Sequence, residues 1–134
     1  GPHGTRNGRI GQTLDIGTTI LERARIEPAW GMAGRDLFGS DAADAAFIQY
    51  HHQKRIDGTA VLPDIHTVRD DRFRLSVLHG FDRGELYDLD TDPGEFDNRW
   101  DDPALVAEKS RLLERLVRAE IAHVDRAPAP TGRA

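Results

Sequence analysis

The chain has 134 residues, 38% hydrophobic and 31% charged, with no cysteine and a formal net charge of -5, a composition that suits one soluble, mildly acidic domain of ordinary size. Lacking cysteine, it has no disulfide, no thiolate metal site and no cysteine nucleophile. Its eighteen Lys and Arg are scattered among twenty-three Asp and Glu, so no basic stripe addresses a nucleic acid, and no apolar run approaches the roughly 20 residues of a membrane-spanning helix.

Residues 1–11, rich in Gly and without an apolar period, predict an irregular arm. The arm begins GPHG without a methionine or a signal-like region, which fits a piece of a longer protein and leaves the cellular compartment undetermined. Leu14, Thr18, Leu21 and Arg25 then fall on one helical line beside Ile16, Ile20 and Ala24, predicting a helix from about Asp15 to Arg25 with Asp15 as N-cap and Pro28 beyond its end. The Gly-rich stretch that follows offers Trp30, Met32, Leu37 and Phe38 as anchors of a packed loop. Phe47, Ile48 and Tyr50 favour a strand over 46–51. Ile65, Thr67 and Val68 predict the first arm of a hairpin turned by Arg69 to Arg72, and Phe73, Leu75 and Val77 alternate inward against Arg74, Ser76 and Leu78 on the returning arm. Leu86 and Tyr87 begin another extended run over 85–89.

From Asp102 the period becomes helical: Asp102 is a candidate N-cap, Pro103 stands at the first helical position, and Leu105, Leu112, Leu113, Leu116, Val117, Ile121 and Val124 recur as an apolar stripe. The proline-rich tail after residue 125 predicts disorder. The fold class is therefore α+β, a small antiparallel sheet of three to four strands packed against a C-terminal amphipathic helix.

The acidic stretch between the last strand and that helix admits two chemistries. Asp88, Asp90, Asp92 and Glu95 have the alternating spacing that opens a calcium loop, but Pro93 occupies the sixth position, where Gly is needed, and Arg99 the twelfth, where a bidentate Glu belongs. Turn chemistry accounts for more: Asp92 bonds backbone two residues on, Pro93 fixes φ, Gly94 is free to take positive φ, and Glu95 and Asn98 satisfy further amides. Among the histidines, adjacent His51 and His52 point to opposite faces of a strand and cannot share a metal there. His66 and His79 are placed to pair across the hairpin. His123 stands near a helix C-terminus, where a cation is favoured.

Taken in order, Arg69 to Leu75, then Glu85, Leu86, Tyr87, Asp88, Leu89, Asp92, Pro93, Glu95 and Asn98, then the helix from Pro103, resemble the C-terminal signature of arylsulfatase-type sulfatases of the alkaline phosphatase-like superfamily. Upstream, Asp15, Thr19, Ile20, Leu21, Ile26, Gly34 and Leu37 are similar to a second segment of that family, with departures at Gly17 or Thr18, where proline is usual, and at Arg25, where glycine is usual. The resemblance covers about residues 10 to 120. It implies that 1–11 is an arm, 12–40 the end of the large catalytic-domain region, 41–125 the C-terminal subdomain and 126–134 a tail.

A sulfatase of this type hydrolyses a sulfuric ester with a formylglycine made from Cys or Ser in a C/S-x-P-S-R motif and a divalent cation, usually calcium, held by aspartates and an asparagine. Neither the motif nor the family's N-terminal Asp-Asp metal pair is in this sequence, so the resemblance assigns no catalytic and no metal residue here. It implies a chain that completes the fold and edges the substrate cleft, with His51, His52, Lys54 and Arg55 as rim contacts. The implied partners are an N-terminal catalytic domain and a small sulfate ester substrate. A phosphate or phosphonate ester hydrolase of the same superfamily is the first alternative, and a non-catalytic protein-binding module the second. If the apolar residues of 14–21 lack a covering domain, self-association through them is expected.

Overall fold

The computed structural model describes residues 8–40, 43–51 and 64–123. Helix α1 spans Thr13–Ala24, and strands β1 (Ala46–His51), β2 (Asp64–Arg69), β3 (Phe73–Leu78) and β4 (Glu85–Asp88) follow. A 3-10 turn over Pro103–Leu105 leads into helix α2, Val106–His123. The four strands form one antiparallel sheet in the order β1-β2-β3-β4. The architecture is α+β, as the patterning indicates. Val124, the last residue of the expected apolar stripe, lies outside the described residues.

Alternation decides which sheet face is covered. Phe47, Val68, Leu75 and Leu86 stand opposite one another across the four strands, so their side chains share a face. α2 packs against that face over β2 and β3, inserting Leu112 and Leu116. Val68, Leu75, Leu86 and Leu112 are completely buried, and Ala45 and Phe73 complete the core. Each such aliphatic side chain contributes about 1.5–3 kcal/mol by leaving water. Leu105, Leu113 and Trp100 pack at the margin. Val117 and Ile121 face outward, 56% and 62% exposed: the expected stripe is wider than the strip of helix that the sheet covers.

On β3, Ser76 departs from its expected outward, solvated position. It is buried with Thr67, and their hydroxyls hydrogen-bond at 2.8 Å, a polar pair that satisfies itself inside the second face. The expected cap of α1 is also corrected. Gln12 is the N-cap, and Asp15 sits one turn in, where its carboxylate reaches back to accept the Gln12 amide at 2.7 Å. Asp15 also accepts the Arg35 amide at 2.9 Å, while Gln12 Oε1 accepts the Phe47 amide at 3.0 Å. These long-range bonds tie the N-terminal helix to its loop and to the edge of the sheet. Gly34 is where the loop presses on the helix: any Cβ there would overlap the Leu14 carbonyl and the Thr18 hydroxyl.

α1 ends as Arg25 takes a left-handed conformation, φ 58°, with its amide on the Glu22 carbonyl and the Ile26 amide on Leu21. At the other end of the chain, Asp102 caps the 3-10 turn as its position suggests, accepting the Ala104 amide at 2.8 Å with Pro103 following.

Candidate functional site

The acidic corner is built around two arginines of the β2–β3 hairpin. Arg72 donates to both oxygens of Asp88, at 3.1 and 2.8 Å, a bidentate pair that lowers the Asp88 carboxyl below its usual range. Asp88 Oδ1 also accepts the Asp90 amide at 3.2 Å. Arg74 lies between Glu85, at 3.1 Å, and Glu95, at 2.9 Å, with its guanidinium 4.9 Å from the centre of the Tyr87 ring. Leu86 is fully buried below them.

Beyond β4, Asp92 accepts the Asp97 amide at 2.8 Å, and Asn98 holds three backbone groups at once: the Leu86 and Trp100 amides, each at 3.0 Å, and the Gly84 carbonyl at 3.1 Å. Three details differ from the expected turn. The aspartate that bonds two residues on is Asp88, and Asp92 reaches five. Glu95 spends its carboxylate on Arg74 instead of on a backbone donor. The positive φ, 57°, belongs to Glu95 and not to Gly94; the exposed Pro93 initiates a turn closed by the Glu95 amide on the Asp92 carbonyl. Every acid of the expected signature, Glu85, Asp88, Asp92 and Glu95, is thus committed to an arginine or an amide.

Of the expected rim residues, His52, Lys54 and Arg55 lie outside the described residues. His51 ends β1 with its side chain 70% exposed and Nδ1 2.9 Å from Asp64 Oδ1. The pairing expected between His66 and His79 is absent. The register sets His66 opposite Val77, and the amide of His79 instead closes the ladder on the Asp64 carbonyl at 2.8 Å. His66 turns to α2, with Nδ1 2.8 Å from Glu120 Oε1 and Nε2 3.2 Å from Asp64 Oδ1. The side chain of His123 lies outside the described residues.

Sequence reasoning missed two groups. Asp70, 4% exposed, accepts the amides of Phe73 at 2.7 Å and Arg72 at 3.1 Å, and an Arg111 N–H at 2.6 Å. It thereby joins the hairpin to α2 across 41 residues of sequence. His66 and Glu120 are likewise 54 residues apart, and no local spacing relates them. A cavity of about 950 Å³ opens between α1 with its loop and the sheet edge with α2; Leu14, Trp30, Met32, Phe47, Gln49 and Glu120 are among its walls. The surface of α1 carries an apolar patch, with Leu14, Ile16 and Ile20 exposed and Trp30 and Phe38 also on the surface.

The cation and formylglycine chemistry of the resembling family can be tested against these donors. No group of three or more His, Asp or Glu suited to a metal occurs among the described residues. None of the three serines, Ser40, Ser76 and Ser110, stands two residues before a proline, and there is no cysteine. The described residues do not fit the cation, and the sequence does not fit the formylglycine. Among the described residues, no helix is long and apolar enough to cross a membrane.

The family model described as N-sulphoglucosamine sulphohydrolase, C-terminal, matches residues 2–122. No curated protein is a sequence match. Solved structures that share the fold include the following. BT1596, a 2-O GAG sulfatase, is 22% identical over 84% of this chain and 25% of its own, with a TM-score of 0.72. BT4656, in complex with its substrate D-glucosamine-2-N,6-O-disulfate, is 20% identical over 88% of this chain and 25% of its own, with a TM-score of 0.68. The phosphonate monoester hydrolase SpPMH from Silicibacter pomeroyi is 26% identical over 84% of this chain and 25% of its own, with a TM-score of 0.71. The chain therefore spans about a quarter of the length of each.

Proposed function

The chain belongs to the N-sulphoglucosamine sulphohydrolase C-terminal family, and from that premise we propose that it serves as the closing part of a sulfuric ester hydrolase, completing the fold and edging the substrate cleft. The family match over residues 2–122 carries this reading. Residues 12–40 are then the end of the large catalytic-domain region and 41–125 the C-terminal subdomain. The partner is an N-terminal catalytic domain. The exposed Leu14, Ile16 and Ile20 are the surface that such a domain covers, because an apolar patch of this kind gains by leaving water.

The formylglycine and the divalent cation, calcium by preference, belong to that other domain. Their electrostatic stabilisation of the sulfuryl group is the largest part of the chemistry, so this chain by itself is inactive. His51, His52, Lys54 and Arg55 are the proposed contacts to the anionic substrate at the cleft rim. Exposure of His51 supports its membership.

The test is the intact mass and activity of the native gene product. A much larger protein that carries a C-x-P-S-R or S-x-P-S-R, shows the mass loss of formylglycine formation and turns over an aryl sulfate supports the reading. A native product of this length without turnover overturns it and leaves a protein-binding module acting through α1. Turnover by the isolated chain, abolished by a chelator, would refute the assignment of the chemistry elsewhere. A second reading, a phosphonate or phosphate ester hydrolase, is favoured by the likeness to the phosphonate monoester hydrolase. Comparing aryl sulfate with a phosphonate monoester on the complete enzyme separates the two.

A further inference from the structure

His66 is held in a way that only its protonated form satisfies. Glu120 of α2 stands at one ring nitrogen, 2.8 Å away, and Asp64 of β2 at the other, 3.2 Å away. A carboxylate only accepts, and a neutral imidazole has a single N–H, so one of the two acids would face a lone pair. An imidazolium carries an N–H on each side. Asp64 Oδ1 is buried and lacks an aligned hydrogen bond, although both His66 and His51 approach it; what it receives is charge attraction, which does not require linearity. Also on this side of the sheet are Val77 of β3, opposite His66, and Gln49 of β1, whose amide donates to Glu120 Oε2 at 2.7 Å. Among the described residues, Asp64, Glu120 and His51 are thus the titratable groups that face it.

Gln49 and Glu120 also wall the cavity, so what fastens them shapes that wall. We propose that His66 is a proton-operated fastener: as an imidazolium it ties the last turns of α2 to β2, and on losing its proton it can donate to only one of Asp64 and Glu120 and no longer carries the charge that attracts both, which weakens the tie and loosens the cavity wall beside α1. The hydrogen bond that His66 donates to Glu120 is the leading influence raising the His66 pKa above the ordinary 6.5; burial works against it, and Asp64 adds to the rise. A raised folded-state pKa means that the stabilisation is fully present below 6.5 and is lost as pH rises through the higher folded value.

Two measurements on the 134-residue chain test this. Ring-proton NMR titration is expected to place His66 above 6.5 in the wild type and lower in Glu120→Gln. Amide exchange, corrected for base catalysis, is expected to show protection at residues 119–122 falling several-fold from about pH 5 to about pH 8, while Leu112 keeps its protection. His66→Gln, which retains one donor, should abolish that pH dependence. His66 titrating at or below 6.5, or unchanged pH dependence in Glu120→Gln, overturns the proposal. The wild-type titration decides the matter even if a variant does not fold.

Discussion

Replacing Asp70 with Asn isolates the charge that joins the β2–β3 hairpin to α2. The substitution keeps the size of the side chain and an oxygen for the Phe73 and Arg72 amides, but removes the anion facing Arg111 at 2.6 Å and Arg115 at 3.6 Å. A hydrogen bond to a charged group contributes about 1.5–3 kcal/mol. Arg111 is 41% exposed and can turn to water, so the expected loss lies toward the lower end, about 2 kcal/mol. Asp70→Ala also strands two amides in a buried turn, at about 1 kcal/mol each, for a total of about 4 kcal/mol. In urea at neutral pH the midpoint should fall by about 1 M for Asn and about 2 M for Ala, with the slope unchanged.

Acid supplies the sign. Burial works to raise the Asp70 carboxyl, but the Arg111 bond and the two amides outweigh it and hold the group below its ordinary 3.8. Its contribution is therefore present above 3.8 and disappears as pH falls through the lower folded-state value, so wild type and Asp70→Asn should converge in strong acid. An Asp70→Asn variant within about 0.5 kcal/mol of wild type at neutral pH, or a difference that persists undiminished in acid, would refute the reasoning.

Other positions give independent checks. Asn98→Ala removes the partners of three backbone groups in a half-solvated corner, and should cost about 1–2 kcal/mol by denaturant titration, with exchange at the Leu86 amide accelerated. Leu112→Ala empties the middle of the core and should cost about 2–5 kcal/mol; a smaller loss would mean that α2 is not seated on Leu75 and Val68. Gly84→Ala drives a methyl into the Ser76 carbonyl and the Trp100 ring, so a loss of at least about 2 kcal/mol and a shifted Trp100 fluorescence are expected.

The sheet and the final helix were legible because their signals are local: β1 begins and ends where Phe47, Ile48 and Tyr50 indicate, and Asp102-Pro103 marks the entry to α2. What escaped depends on partners distant in sequence. Asp15 is a good N-cap residue, yet Gln12 takes that place because its side chain also closes the Phe47 amide at the sheet edge. Ser76 looked solvent-facing because its partner, Thr67, becomes visible only once the register is known. His66 was paired with His79 by hairpin arithmetic, but the register sets it opposite Val77 and α2 supplies Glu120. In the acidic corner the acids meet arginines and amides, and those arginines could be assigned only in three dimensions.

The strand order of the sheet is also its order along the chain, and this bears on how the polypeptide assembles. Each ladder joins a strand to the one just made, so pairing proceeds from hairpin to hairpin without waiting for a distant segment, and the loops closed at the β2–β3 and β3–β4 steps are short. α2 follows the sheet in the chain and brings the long-range ties, Arg111 to Asp70 and Glu120 to His66. A chain released stepwise during synthesis would therefore have its sheet template in place before the helix that covers it emerges.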